Sequence, residues 1–269
     1  MTTPHSPVPE GPVKAPHAPL TDYYASEAER SQFLQDVFDD TGVDYDRIER
    51  VLAWGTGAWY RREALKRAGL TQGMRVVDVG FGTGLVAVEA IALVGSPDLI
   101  IGIDPSQGMI KASPLLGQVQ VIEGRAEKIP LPDNSCDFLS MGYALRHISD
   151  LGLAFSEFNR VLKPGGRLCL LEISKPQSAW GTFLLKLYMR VYVPIIARFV
   201  SRSKNTSMLW RYYWDSIEAC ANPQQIMASL SQAGLQQVGR HLELGIFSEY
   251  QAVKAGGTHT THASTSPTT

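Results

Sequence analysis

Hydrophobic positions change their period along this chain, and the changes mark its elements. From Ser26 to Arg67 the spacing is helical: Phe33, Leu34, Val37 and Phe38 form one apolar stripe, and Ile48, Val51 and Leu52 a second. Gly55 and Gly57 break the pattern before a further helix that starts near Trp59. Beyond it, short apolar runs alternate with helical segments. Strands are predicted over 75–79, 99–104, 119–123, 136–141 and 167–173, and helices over 85–93, 107–112 and 151–162. Lys163-Pro164-Gly165-Gly166 is expected to stop the last of these helices. After a helix over 224–233, residues 235–253 read as two final strands joined near Gly245. The pattern implies an α/β domain: a seven-stranded sheet, parallel with one antiparallel edge strand, and helices on both faces. Ligands of such sheets bind outside the carboxyl ends of the strands.

Residues 179–215 break the alternation. This long amphipathic stretch carries Phe183, Leu184, Leu187, Val191 and Ile195, but Lys186, Arg190, Arg198 and Arg202 interrupt it. No uncharged run in it reaches membrane-spanning length. It reads as core helix, or as a helical insertion over about 178–218 that roofs an apolar acceptor or leans on a membrane. Tyr45 and Trp54 carry a similar double reading, core contact or pocket roof. Residues 1–20 hold many prolines, residues 255–269 are mostly Gly, Thr, Ser and His, and both are expected to be disordered. One domain over 21–254 remains. Of the six histidines, only His147 and His241 then fall inside it.

Composition narrows the classes. A chain of 269 residues with 44% hydrophobic content can bury one sizeable core. A net charge of −1 gives no basic excess for nucleic acid. Three scattered cysteines without C-x-x-C spacing suggest neither a disulfide framework nor a zinc site, and no other metal-ligand cluster is legible. They fit small buried residues in a reducing compartment. No apolar leader stands at the N-terminus, so the expected location is cytoplasmic, with peripheral membrane contact through the amphipathic stretch as an option.

The chemistry gathers on Val76-Val77-Asp78-Val79-Gly80-Phe81-Gly82-Thr83-Gly84, where a buried strand runs into three alternating glycines and then a helix. Glycine tolerates positive φ and lets a ligand lie against the backbone. The helix start behind it offers unpaired N–H groups. The spacing is G-x-G-x-G, not the G-x-G-x-x-G of dinucleotide folds. Asp104 stands at the end of the second strand, where a carboxylate can accept both hydroxyls of a ribose. Loop and acid together fit an adenosine-containing ligand, S-adenosylmethionine rather than NAD.

Several further segments are specific. They are Tyr45-Asp46, Arg125-Ala126-Glu127, Leu145-Arg146-His147, the Lys-Pro-Gly-Gly turn and Leu171-Glu172-Ile173-Ser174-Lys175-Pro176. On these the chain, from about Phe33 to Lys254, resembles the ubiquinone/menaquinone biosynthesis C-methyltransferases of the UbiE/MenG type. Those are class I S-adenosylmethionine-dependent enzymes with a Rossmann-like fold. The resemblance implies that Asp78, Gly80, Gly82, Thr83 and Gly84 hold the methionine end of the cofactor and Asp104 its ribose. It places Met109 on the adenine, Arg125 and Ala126 at the adenine edge, and Gly142 beside the cofactor. It puts Arg146 on the acceptor side. Two departures stand out. Arg125 replaces an Asp or Asn and brings donors where the family has an acceptor, so its side chain must turn away, toward Glu123 or Glu127. Tyr143-Ala144-Leu145-Arg146-His147 replaces Phe-Gly-Leu-Arg-Asn.

The expected chemistry is methylation of a lipophilic aromatic or quinol acceptor. A phenol becomes a carbon nucleophile once ionised. Arg146 would stabilise the phenolate, His147 would take a proton, and Tyr143 would hydrogen-bond the acceptor oxygen. Arg146 also fits a structural ion pair with Asp150 or Glu172. Methylation of oxygen or nitrogen on another lipophilic small molecule, or other chemistry on a quinone with the same cofactor, remain alternatives.

Overall fold

The computed structural model describes residues 11–52, 56–200 and 206–256. Seven strands form one sheet in the order β3-β2-β1-β4-β5-β7-β6. They are β1 Val76–Val79, β2 Ile100–Asp104, β3 Gln120–Glu123, β4 Cys136–Gly142, β5 Leu162–Ile173, β6 Leu235–Glu243 and β7 Phe247–Lys254. β1 lies at the centre, with Val76 opposite Ile100 of β2 and Phe138 of β4, both parallel. β7 runs antiparallel to both β5 and β6, so it is the one reversed strand, and it lies next to the edge, with β6 outermost.

The helices are α1 Glu27–Leu52, α2 Gly57–Arg67, α3 Leu85–Val94, α4 Gln107–Ala112, α5 Leu151–Val161, α6 Ala179–Leu187, α7 Val193–Val200, α8 Thr206–Ala219 and α9 Pro223–Gln232. Local signals start several of them. Ser106 and Asp150 accept from the amides of Met109 and Leu153, and Asn222 with Gln225 forms a full capping box. β1 is buried on both faces, as a central parallel strand must be. Val77 and Val79 meet Phe155 and Phe158 of α5 and Ile226 and Leu230 of α9. Val76 joins Leu65 of α2 and Ala87 and Ala90 of α3 on the other side. A third cluster, built on Val37, Met189, Val193, Trp210 and Trp214, binds α1, α7 and α8 into a roof over the carboxyl ends of the strands.

Three expectations change. The Lys-Pro-Gly-Gly turn does not lie outside the sheet. Cys136 pairs with Leu162 and Phe138 with Arg167, so the turn is carried within β5 as a bulge, where Pro164 has no N–H to give and Gly165 takes φ +79°. Residues 11–20 are not a loose arm. Val13 N donates to Ser229 Oγ, Lys14 O accepts from Leu151 N and Pro16 O accepts from Ala221 N. His17 is buried, with Nε2 3.1 Å from Arg146 O, so it belongs to the fold. Finally, α6 and α7 are joined by a π-helical turn, Tyr188–Tyr192, just before Pro194. Trp54 and the side chain of Tyr45 lie outside the described residues.

Candidate active site

The carboxyl ends of β1, β2, β4 and β5 open onto a cavity of about 1010 Å³ beneath the helical roof. At its floor the chain turns sharply out of β1. The amides of Gly80 and Phe81 both donate to Ile103 O, at 2.8 and 3.1 Å, and fold the loop over β2. Gly80 has φ +69°, and a Cβ there would fall 2.6 Å from Ala144 Cβ. Over Gly82 (φ +56°) a Cβ would meet nothing nearer than Gly80 O at 4.0 Å, so bare backbone faces open space. The ring of Phe81 fills the space behind the loop, against Gly102. Gly84 does not line the cavity. It turns the chain into α3, whose N-terminus has no side-chain cap.

Asp104 sits beside this loop. Its Oδ2 accepts from Gly82 N at 2.7 Å and its Oδ1 from Ser106 N at 2.8 Å, and each oxygen keeps a further lone pair. Burial pushes its carboxyl up to about 6, against the pull of the two amides. Met109, Ala126 and Gly142 also face the cavity. Asp78 does not. It points to the interior side of β1, where Oδ1 accepts from Ser140 Oγ at 2.7 Å, and burial pushes its carboxyl up to about 8. The residues fit an adenosine-bearing cofactor: a naked backbone loop, a two-oxygen acceptor and apolar walls share one space.

α1 is fastened across that space. Asp39 Oδ1 accepts from Ser106 Oγ at 2.5 Å and Gly108 N at 2.8 Å. Asp46 Oδ1 accepts from Thr83 Oγ1 at 2.5 Å. Arg125 lines the cavity but donates from Nη1 to Ser31 Oγ at 3.0 Å. Its partner is therefore Ser31 of α1 and not either of the expected acids. Glu123 is engaged by Gln107, and Glu127 by Ser149 N.

The acceptor-side residues divide. Tyr143, held at φ +59°, lines the cavity 5.9 Å from the Arg61 guanidinium, and burial raises its phenol. His147 lines it too. Its ring stacks on Tyr212 at 5.6 Å, with Nδ1 3.3 Å from Tyr212 Oη, while Nε2 has no hydrogen-bond partner among the described residues. Burial, reinforced by Arg146 and Arg30, holds the imidazole well below its ordinary pKa, so it is neutral at pH 7. Arg146 does not reach the cavity. It is fully buried in an ion pair with Glu172, and also donates to Tyr143 O and Ser216 Oγ. Glu172 ends the neighbouring strand, and a buried cation needs such a partner. Tyr213 is what lies against the Arg146 guanidinium and faces the cavity. Arg30 and His17 hold the carbonyl of Arg146, and Arg30 also that of Ile148, so His147 sits on a clamped segment.

Apolar walls complete the space: Ile173, Leu185, Tyr188, Met189, Trp210 and Phe247. Sequence reading missed Trp210, Phe247 and the Arg61–Glu49 pair, whose Nη2···Oε1 distance is 2.5 Å. Nothing local marks that pair, since its members lie on different helices.

Comparison with known proteins agrees with this geometry. The ubiE/COQ5 methyltransferase family matches residues 26–254. The ubiquinone/menaquinone biosynthesis C-methyltransferase UbiE of Pseudomonas entomophila is 28% identical over 90% of this chain and 98% of its own length. The demethylmenaquinone methyltransferase of Symbiobacterium thermophilum is 30% identical over 81% of this chain and 90% of its own. A crystal structure of an S-adenosylmethionine-dependent methyltransferase from Aquifex aeolicus shares the fold, with TM-score 0.56, 22% identity and coverage of 78% of this chain and 98% of that one. A seven-stranded methyltransferase sheet and a match across nearly all of the described domain leave one assignment: this chain is an S-adenosylmethionine-dependent enzyme of the ubiE/COQ5 methyltransferase family.

Proposed function

We propose that this chain transfers a methyl group from S-adenosylmethionine to a ring carbon of a lipophilic quinol in quinone biosynthesis. One observation carries the reading: a single cavity is lined both by the bare glycine loop with Asp104 and by a large apolar wall. Relatives named for ubiquinone, menaquinone and demethylmenaquinone methylation support it. Bound there, the cofactor supplies an electrophilic methyl on a sulfonium that leaves as a neutral thioether.

The chain's own residues then do the following. Asp104 accepts the ribose hydroxyls. Gly80, Gly82 and Thr83 receive the methionine end, Met109 packs on the adenine with the backbone of Arg125 and Ala126 at its edge, and Gly142 lies beside the cofactor. With Nδ1–H donating to Tyr212 Oη, His147 Nε2 takes the proton of the acceptor phenol, which spreads charge to the ring carbon beside the oxygen. Once that carbon is methylated its own hydrogen leaves as a proton to solvent, the ring becomes aromatic again, and the imidazole returns its proton to the phenolate oxygen. Tyr143 directs its hydroxyl at the acceptor oxygen. Arg146 is a positioning residue, acting through Tyr213 and the segment that carries His147. Alignment of acceptor carbon and methyl is the main contribution of such a site. The protein works in the cytoplasm, in peripheral contact with a membrane that holds its acceptor.

The test is incubation with an isotopically labelled methyl donor and a panel of demethylated quinols, followed by mass analysis. The expected product carries the label on a ring carbon. Label on oxygen, or no labelled quinol, would overturn the reading.

A further inference from the structure

We propose that the outer face of α6 and the π turn is a docking surface for an anionic lipid bilayer, through which the acceptor reaches the cavity. The proposal rests on the lipophilic acceptor argued above.

The first observation is a stripe. Trp180, Phe183, Leu184, Leu187, Val191 and Ile195 recur at helical spacing, and all are exposed, Trp180 to 74%. The opposite side of the same rod is the buried one, with Met189 and Val193 packed on α1 and α8. A helix that needed only to cover the domain would not carry large apolar groups on both sides.

The second is the rim of the cavity. Leu184, Trp59 and Leu244 line it and are still 56%, 60% and 78% exposed. They come from α6, α2 and the β6–β7 turn. Leu184 belongs to both the stripe and the rim, so the two meet there, and an apolar acceptor leaving a membrane would find apolar side chains at the cavity mouth.

The third is charge. From Ile173 to Glu218 the sequence holds seven Lys or Arg against two acids, Asp215 and Glu218, which pair with Arg190 and Lys186 and leave the segment net basic. The whole chain has 25 bases and 26 acids, so the remainder is acidic. Apolar side chains in a basic segment, with an exposed Trp among them, match the chemistry of an anionic membrane surface. A second copy fits poorly. A two-fold contact through this face would set the two basic segments against each other.

The full chain is sedimented with vesicles of phosphatidylcholine and phosphatidylglycerol in equal parts, and with phosphatidylcholine alone. Wild type is expected to bind the anionic vesicles and to be released by high salt. Trp180→Asp with Leu187→Asp, neither of which lines the cavity, is expected to weaken vesicle binding about tenfold or more. Its melting temperature and its turnover of a tail-free naphthoquinol stay unchanged, while turnover of a long-tailed quinol embedded in vesicles falls. Phe183→Glu gives a second, independent variant. Wild type left in the supernatant, or variants that bind as tightly as wild type, would overturn the proposal. So would a wild-type dimer that the substitutions dissociate in analytical ultracentrifugation. A wild type that binds vesicles but methylates no naphthoquinol would instead overturn the reading of the reaction, because docking is read without turnover.

Discussion

The guanidinium carbon of Arg146 lies 4.2 Å from the centroid of the Tyr213 ring. That distance fits a cation–π contact, and it stands Tyr213 against the cation while the same ring lines the cavity. Arg146 also neutralises the buried Glu172. Its removal therefore acts on the fold before it acts on the reaction. Arg146→Ala leaves a buried carboxylate without its partner and should cost about 3–5 kcal/mol of stability. Thermal unfolding checks this. A variant that melts like wild type and loses only turnover would place Arg146 on the acceptor instead.

Asp104 sets a pH limit on cofactor binding. Its folded pKa is about 6, raised by burial from 3.8. Ribose hydroxyls are donors, so the ionised carboxylate is the form that binds them. Affinity should be constant above pH 7 and fall about tenfold per unit below pH 6, one proton being taken up. The sign for folding is opposite. A raised acid holds its proton more tightly in the folded state, so this group's contribution to stability declines as pH rises from 3.8 to about 6. Calorimetric titration with S-adenosylhomocysteine between pH 5 and 8 reads the first effect. Asp104→Asn should bind more weakly and show no such dependence.

The sheet and the loop were legible because their signals are local. The apolar runs of β1, β2 and β4 and the glycines at positive φ all declare themselves within a few residues. Asp104 was legible for the same reason, as the acid that ends a strand next to the loop. What was not legible depends on pairing across the fold. Arg146 carries the same side chain whether it meets an acceptor or Glu172, and only the position of β5 decides. Asp78 bonds Ser140 of the neighbouring strand and is not part of the cavity lining, which only the pairing of β1 with β4 reveals. His17 sits in a proline-rich segment of low apolar content, yet backbone hydrogen bonds at Lys14 and Pro16 and one from Val13 N to the Ser229 hydroxyl fasten that segment down.

Gly108 decides how closely α1 can lie over the site. A Cβ on it would fall 2.4 Å from Asp39 Cα, and that atom is backbone, which cannot swing aside. Gly108→Ala should lift this part of α1. The bonds from Ser106 and Gly108 to Asp39 would break, and that between Thr83 and Asp46 would loosen. Lost hydrogen bonds to charged groups contribute about 1.5–3 kcal/mol each. Faster amide exchange across α1 and weaker S-adenosylhomocysteine binding are expected, with the sheet's protection unchanged. Wild-type exchange in α1 would show that the helix docks by other contacts.

His147 offers the sharpest test of the proposed chemistry, because its two possible roles respond differently to one substitution. Its ring packs edge-on against Phe38 at 5.2 Å and face-on against Tyr212, so part of any loss on substitution is structural. The other part is chemical. Burial and the neighbouring arginines keep the imidazole unprotonated at every working pH, and they also make it a weaker base than a free imidazole. Its own titration should therefore put no acid limb near pH 6.5 on kcat at saturating cofactor. His147→Asn keeps a polar group but removes the proton acceptor. If the imidazole is the base, kcat falls about 10²-fold or more while S-adenosylhomocysteine binds as before. The melting temperature reports the packing loss separately. Full turnover in His147→Asn would remove the imidazole from the proton transfer and leave Tyr143 and placement alone to activate the acceptor.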